Sequence, residues 1–297
     1  MTIISRMNTS AAWDPEYIAR ILLECSRIAM KHYNAPRTSI KPDRSLVTEA
    51  DHEIEAYLES ELEASERGSY MIGEETIHTR TADYIDRAFA ETAWIVDPID
   101  GTVPYAHHIP TWGISIGMMV GGTLTNGAIY LPITDELFVT RGDEVLYGSI
   151  AFLNTAADSV ESLKPVTANG ERRKALVRAS GVIALTQGIT KGRGIDVPNP
   201  VQALGCAVLP LTYLLLDRYV AYAGTVKLWD CAGALPMLQR AGFVARLANG
   251  TQVHTSVDKS VYRLSPNDHK RWKFNDLLLC AATDELIEYV ENAIVAA

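Results

Sequence analysis

The stretch 94–102, W-I-V-D-P-I-D-G-T, limits what this 297-residue chain can fold into more than any other. Trp94, Ile95 and Val96 form a short apolar run that predicts a buried strand. Pro98 fixes its own φ and disfavours helix at Asp97, so the strand is expected to break into a turn there. Such a turn aims the carboxylates of Asp97 and Asp100 at one point beyond the strand end. Gly101 lets the backbone approach a ligand closely, and Thr102 falls at an expected helix start. Two carboxylates with free backbone N–H groups suit a hard divalent cation and the phosphate it would hold. Taken alone, D-P-x-D-G also reads as a plain turn, Pro and Asp turning the chain and Gly relieving strain.

Three other motifs accompany it: K-P-D-R-S-L-V-T-E-A-D at 41–51, G-E-E at 73–75 and W-D-C-A-G at 229–233. Each has a dull alternative. Glu74 and Glu75 read alone as a solvated pair, Asp230 as a helix N-cap, Asp51 as a helix-start residue and Lys41 as a surface charge. In this order, however, the four motifs resemble the inositol monophosphatase family, magnesium-dependent and lithium-sensitive phosphomonoesterases. The resemblance runs from about Trp13 to about Asn249.

That resemblance implies a combined α+β and α/β chain folded as a layered α-β-α-β-α sandwich, with the active site between two lobes. It implies two or three magnesium ions held by Glu74, Asp97, Asp100, Asp230 and the backbone carbonyl of Ile99. Asp51 and Thr102 match the pair that orients the attacking water, and Lys41 sits on the loop that screens phosphate or a third metal. The N–H groups of Gly101 and Thr102 would cradle phosphate oxygens. A homodimer acting on a small phosphorylated metabolite is carried over in the same way.

The substrate-facing positions depart from the family. Val103, Pro104 and Tyr105 stand where many members have T-N-F after D-G-T, and Ala223 stands where inositol-hydrolysing relatives place a ring-binding glutamate. The arginine of a common R-x-x-G-[ST]-A pattern is Gln202, followed by Ala203 to Ala207. Ala223 and Gln202 are therefore expected to shape a pocket for an alcohol other than inositol. Histidinol phosphate, a sugar phosphate or a 3'-phosphoadenosine-type nucleotide remain open, and the first motif leans toward the histidinol-phosphatase branch. A binding or regulatory protein with little catalysis is the reading from another class. His107 and His108 are read as structural or cleft-lining, and Trp112 as core.

Composition narrows the partners. A net charge of −9 argues against non-specific binding to nucleic acid, while a bound metal can reverse the field locally for a phosphate. No apolar run has bilayer length, and residues 1–10 lack the apolar region of a signal peptide. Cys25, Cys206, Cys231 and Cys280 lie far apart with no C-x-x-C, so a reducing cytoplasm is expected rather than a disulfide framework or zinc site.

Helices are expected over 14–32, 50–65, 205–219, 229–240 and 286–295, with a loop over 34–45. Strands are expected at 70–72, at 175–179, at 219–223, at 243–247 and in an antiparallel meander spanning 112–147. Residues 151–162 carry no assignment. A polar, turn-rich stretch at 170–174 divides an N-terminal lobe, 1–170, holding most metal ligands, from a C-terminal lobe, 171–297, holding W-D.

Overall fold

A computed structural model describes residues 12–150, 160–167 and 180–296. Asp14 accepts from the N–H groups of Glu16 and Tyr17, and Pro15 occupies the first turn, so helix α1 (Pro15–Tyr33) starts where capping chemistry places it. Its stripe of Ile18, Ile21, Leu22, Cys25 and Ala29 is buried. The stretch expected as a loop holds a small hairpin instead, β1 (Thr38–Ile40) antiparallel to β2 (Leu46–Thr48). Strand β2 feeds α2 (Glu49–Leu62) through a capping box between Thr48 and Asp51.

The larger sheet holds β3 (Ser69–Gly73), β4 (Thr92–Asp100), β5 (Gly113–Val120), β6 (Thr123–Leu131), β7 (Glu136–Arg141), β8 (Glu144–Gly148) and β9 (Lys164–Pro165), side by side in that order. Helix α3 (Ala82–Ala90) links β3 to β4, which run parallel; every later neighbour is antiparallel, the expected meander. Pro98 does not end β4. The strand continues to Asp100 with a register shift opposite β5 between Asp97 and Asp100, so the expected turn is a bulge. Proline is tolerated there because β3 ends at Gly73, opposite Val96, and its ladder makes no demand on the missing N–H. Helix α4 (Thr102–Ala106) follows at once.

In chain order the remaining elements are β10 (Val182–Leu185), α5 (Gln187–Gly192), β11 (Arg193–Ile195), β12 (Val201–Ala203), α6 (Val208–Leu215), β13 (Tyr219–Gly224), α7 (Leu228–Ala232), α8 (Leu235–Arg240), β14 (Val244–Leu247), β15 (Leu278–Ala281), α9 (Asp284–Ala293) and β16 (Ile294–Ala296). The second sheet has the order β12-β10-β13-β15-β14. The expected strand at 175–179 and the boundary at 170–174 lie outside the described residues. The helix expected over 205–219 starts only at Val208, because Gly205 is left-handed and the N–H groups of Ala207 and Val208 turn to Asp100. The helix expected over 229–240 is two. A β-carbon on Gly233 would lie 2.6 Å from Ser115 Oγ and one on Gly127 1.9 Å from the Gly233 carbonyl oxygen, so chain and sheet touch there through backbone. The terminal helix ends early, and its last residues pair as β16 with β11.

The layers follow from which faces are apolar. Helices α1 and α2 cover one face of the large sheet through Ile18, Leu22, Ile54 and Leu58 against Trp94, Val96 and Ile116. The opposite face, through Ile95, Met119 and Phe138, shares one core with Leu211, Trp229 and Leu235 of α6–α8 and with Tyr222 of the second sheet. Helix α9 closes the outside with Leu286, Ile287 and Val290 against Ile183, Leu185 and Leu279. This is the expected α-β-α-β-α sandwich.

Candidate active site

Three carboxylates converge where β3, β4 and α7 meet. Glu74 follows β3, and its N–H reaches the Val96 carbonyl at 3.3 Å. Asp97 stands at the bulge of β4, and Asp230 in the first turn of α7. Ligand oxygens of Glu74, Asp97 and Asp230 lie within 4.8 Å of one another. Both oxygens of Asp97 are buried and have no hydrogen-bond partner. Burial pushes the Asp97 carboxyl far above the usual carboxylate range, helped by the charges of Glu74, Asp100 and Asp230. Loss of solvation, with Asp100 and Glu74, pushes Asp230 up to about 8. A buried carboxylate with no donor, crowded by two further acids, is what a divalent cation relieves, and an all-oxygen donor set suits magnesium.

Asp100 lies close enough for its charge to act on Asp97 and Asp230 but is not one of the three converging acids, and its carboxylate is engaged elsewhere. Its Oδ2 accepts from the N–H groups of Ala207 and Val208, both at 2.6 Å, and from Cys206 Sγ at 3.1 Å. Burial raises its carboxyl to about 6 despite these donors. Ile99 is buried, and its carbonyl accepts from Thr102 Oγ1 at 3.2 Å. Gly101 is left-handed, with φ 93°, and a β-carbon there would lie 2.8 Å from the Thr111 carbonyl oxygen, so only glycine suits the turn into α4. Tyr105 fastens α4 by donating to the Ala29 carbonyl at 2.6 Å.

Asp51 is buried at the start of α2, its Oδ2 accepting from Thr48 N at 2.8 Å and Thr48 Oγ1 at 2.6 Å. Burial raises its carboxyl to about 7, with Glu75 and Glu74 adding to the shift. Lys41 donates to Glu75 Oε1 at 2.7 Å and lies 3.5 Å from Glu74 Oε1. Glu75 is thus no solvated surface acid: it is buried under Lys41.

The two expected substrate-pocket residues are not brought to the acids. Ala223 has no exposed surface and packs in the outer cluster with Leu185, Leu279 and Leu286 beneath α9. Gln202 is exposed on edge strand β12, where Tyr219 OH donates to its Oε1. Matching by position missed that residue 223 belongs to the outer face of its sheet, the one covered by α9. His107 and His108 are exposed; His107 Nδ1 lies 2.9 Å from the Val103 carbonyl and His108 stacks edge-on to Tyr33, in keeping with a structural role. Trp112 is buried.

Two side chains escaped the sequence reading. Lys227 Nζ lies 3.0 Å from Glu74 Oε1, while the Lys227 backbone N–H donates to Asp230 Oδ2 at 2.8 Å. Its signal was position alone, one residue outside the helix that carries W-D. Glu55, fully buried on α2, accepts from the N–H groups of Glu75 and Thr76 at 2.9 and 2.8 Å and so sets the turn that follows Glu74. An acid beside Ile54 and Leu58 on an apolar helix face was the available clue.

The model of the inositol monophosphatase family matches residues 17–288. The chain belongs to the inositol monophosphatase family. It is 29% identical over 252 residues to inositol monophosphatase 1 of Solanum lycopersicum, covering 82% of this chain and 84% of that protein. It is 27% identical over 210 residues to a histidinol-phosphatase of Chlorobaculum parvum, covering 68% and 72%. In fold it matches the extragenic suppressor protein suhB of Bartonella henselae with a TM-score of 0.67 at 21% identity, over 93% of this chain and 96% of that one. The chain is a phosphatase, a phosphoric monoester hydrolase, and the acidic cluster agrees with the metal dependence of the inositol monophosphatase family.

Proposed function

We propose that this phosphatase hydrolyses a small phosphomonoester with two or three magnesium ions held by Glu74, Asp97, Asp100, Asp230 and the Ile99 carbonyl. The observation that carries this is Asp97, with two buried, partnerless oxygens beside Glu74 and Asp230. Magnesium bound there supplies neutralisation of phosphate charge, a more acidic water and stabilisation of the departing oxygen. The Thr102 hydroxyl donates a hydrogen bond to the Ile99 carbonyl and keeps its oxygen free to accept one. A water donating one proton to Thr102 Oγ1 and the other to Asp51 presents a lone pair to phosphorus. The N–H groups of Gly101 and Thr102, with Lys41, take phosphate oxygens.

Inositol phosphate fits the family as the substrate, and a histidinol-phosphatase among the relatives keeps histidinol phosphate in view beside sugar and 3'-phosphoadenosine-type phosphates. A reducing cytoplasmic setting is supported by four free, buried cysteines. No helix among the described residues is long and apolar enough to cross a membrane. A homodimer is proposed from the family likeness and is read by light scattering. The deciding experiment is a phosphomonoester panel run with magnesium and with excess EDTA. Turnover is expected with magnesium and none with chelator; equal turnover in EDTA overturns the proposal.

A further inference from the structure

We infer that Lys227 is a built-in counter-ion that competes with the divalent metal for Glu74. The inference rests on the metal-site reading above. Glu74 Oε1 is approached by two ammonium groups, Lys227 Nζ at 3.0 Å and Lys41 Nζ at 3.5 Å. Lys41 has a closer partner in Glu75 at 2.7 Å, but the next acid from Lys227 is Asp43, 4.0 Å away. Glu74 is therefore the chief partner of Lys227. The same oxygen belongs to the carboxylate that joins Asp97 and Asp230 in the metal-binding group.

The backbone of Lys227 is fixed while its side chain has somewhere to go. Its N–H is tied to Asp230, so the Cα cannot retreat without disturbing a second acidic group. The side chain lies over the Trp229 ring at 5.1 Å and is 23% exposed, and Asp43 beside it is 58% exposed. A divalent cation taking Glu74 sets its charge against the ammonium a few ångströms away, and repulsion moves Nζ toward Asp43 and water. The site thus has an ammonium-held state and a metal-held state. Lys227 steadies the first at the expense of the second.

Two measurements of opposite sign follow, neither of them activity. In excess EDTA, Lys227→Met is expected to melt lower than wild type, because the acids lose their stand-in cation. In calorimetric titration with MgCl2 alone, the same variant is expected to bind magnesium about tenfold more tightly, whereas Lys227→Arg stays near wild type. A lysine serving only packing gives no gain in affinity on removal. Lys227→Gln, which keeps the polar tip, replaces the Met variant if that does not fold and must show the same tightening. Magnesium affinity unchanged or weakened in the neutral variant overturns the inference while leaving the metal site in place. A wild-type protein that binds no magnesium removes the metal-site reading and this inference with it.

Discussion

Asp97 concentrates the problem that the site must solve. A carboxylate with both oxygens buried and no donor is an expensive group to keep in a fold, and four more acids, Glu74, Asp100, Asp230 and Asp51, stand close enough to raise it further. On the proposed metal site, replacing it takes away a ligand charge that the cation would neutralise. Asp97→Asn is expected to lower turnover of every phosphomonoester by at least about 100-fold, measured as initial rates at saturating magnesium; any substrate spared places the metal elsewhere. The same acids set a pH dependence. Asp230 is raised from 3.8 to about 8, and Asp97 and Asp100 are also raised. A carboxyl raised in the folded state favours folding below its ordinary value, and that contribution is lost as pH rises through the raised one. Metal-free protein is therefore expected to melt progressively lower as pH rises from 3.8 to about 8. Saturating magnesium should abolish that fall, and thermal melts in EDTA and in magnesium across this range check it.

At the scale of elements, the site is assembled by turns that the helices hold. Glu55 on α2 reaches across to the turn after β3, and a β-carbon on Gly73 would fall 2.3 Å from its Oε1. The helix thereby grips the strand end from which Glu74 projects. Glu55→Gln replaces one accepting oxygen by a donor facing N–H groups and is expected to cost about 1–3 kcal/mol. Activity should fall as well, because Glu74 loses its support; denaturant melts and kcat/KM read the two effects, and an unchanged value of both refutes the role. The close approach of α7–α8 to the large sheet is a second such joint. Gly127→Ala sets a methyl against the Gly233 carbonyl, a backbone clash that no rotamer relieves, and is expected to cost about 3 kcal/mol or more.

The molecule as a whole is held by a core common to both sheets and by a polar clasp at its side. Glu136 on β7 accepts from Tyr147 OH at 2.6 Å and from Tyr213 OH of α6 at 2.7 Å, and Arg218 Nη2 pairs with it at 2.6 Å. Burial alone would raise this carboxyl, but the Arg218, Tyr147 and Tyr213 donors outweigh it and hold it at about 2. For a lowered carboxyl the stabilising contribution is complete above the ordinary value of 4.5 and is lost as pH falls through about 2. Glu136→Gln should accordingly melt below wild type at pH 7, with the difference shrinking as both approach pH 2. A difference that persists undiminished in acid would assign the clasp to shape and not to charge.

The sequence by itself determined most strands and helices, the meander and the acidic motifs, because periodicity, caps and turn residues act within a few positions of one another, while the layered sandwich came with the family resemblance. Asp14 and Pro15 start α1, and Trp94–Val96 make a buried strand, for reasons visible within those residues. Even there the local rule for proline was overridden, since Pro98 sits inside β4, at a bulge opposite β5 and past the end of β3. Which groups meet is another matter. Asp100 finds its donors 107 and 108 residues away, and Lys227 finds Glu74 across 153. The burial of Ala223 beneath α9 depends on which side of its sheet a strand residue faces once the layers are stacked. Tertiary structure decided these because a side chain's partner is set by packing between elements, and no local propensity encodes it.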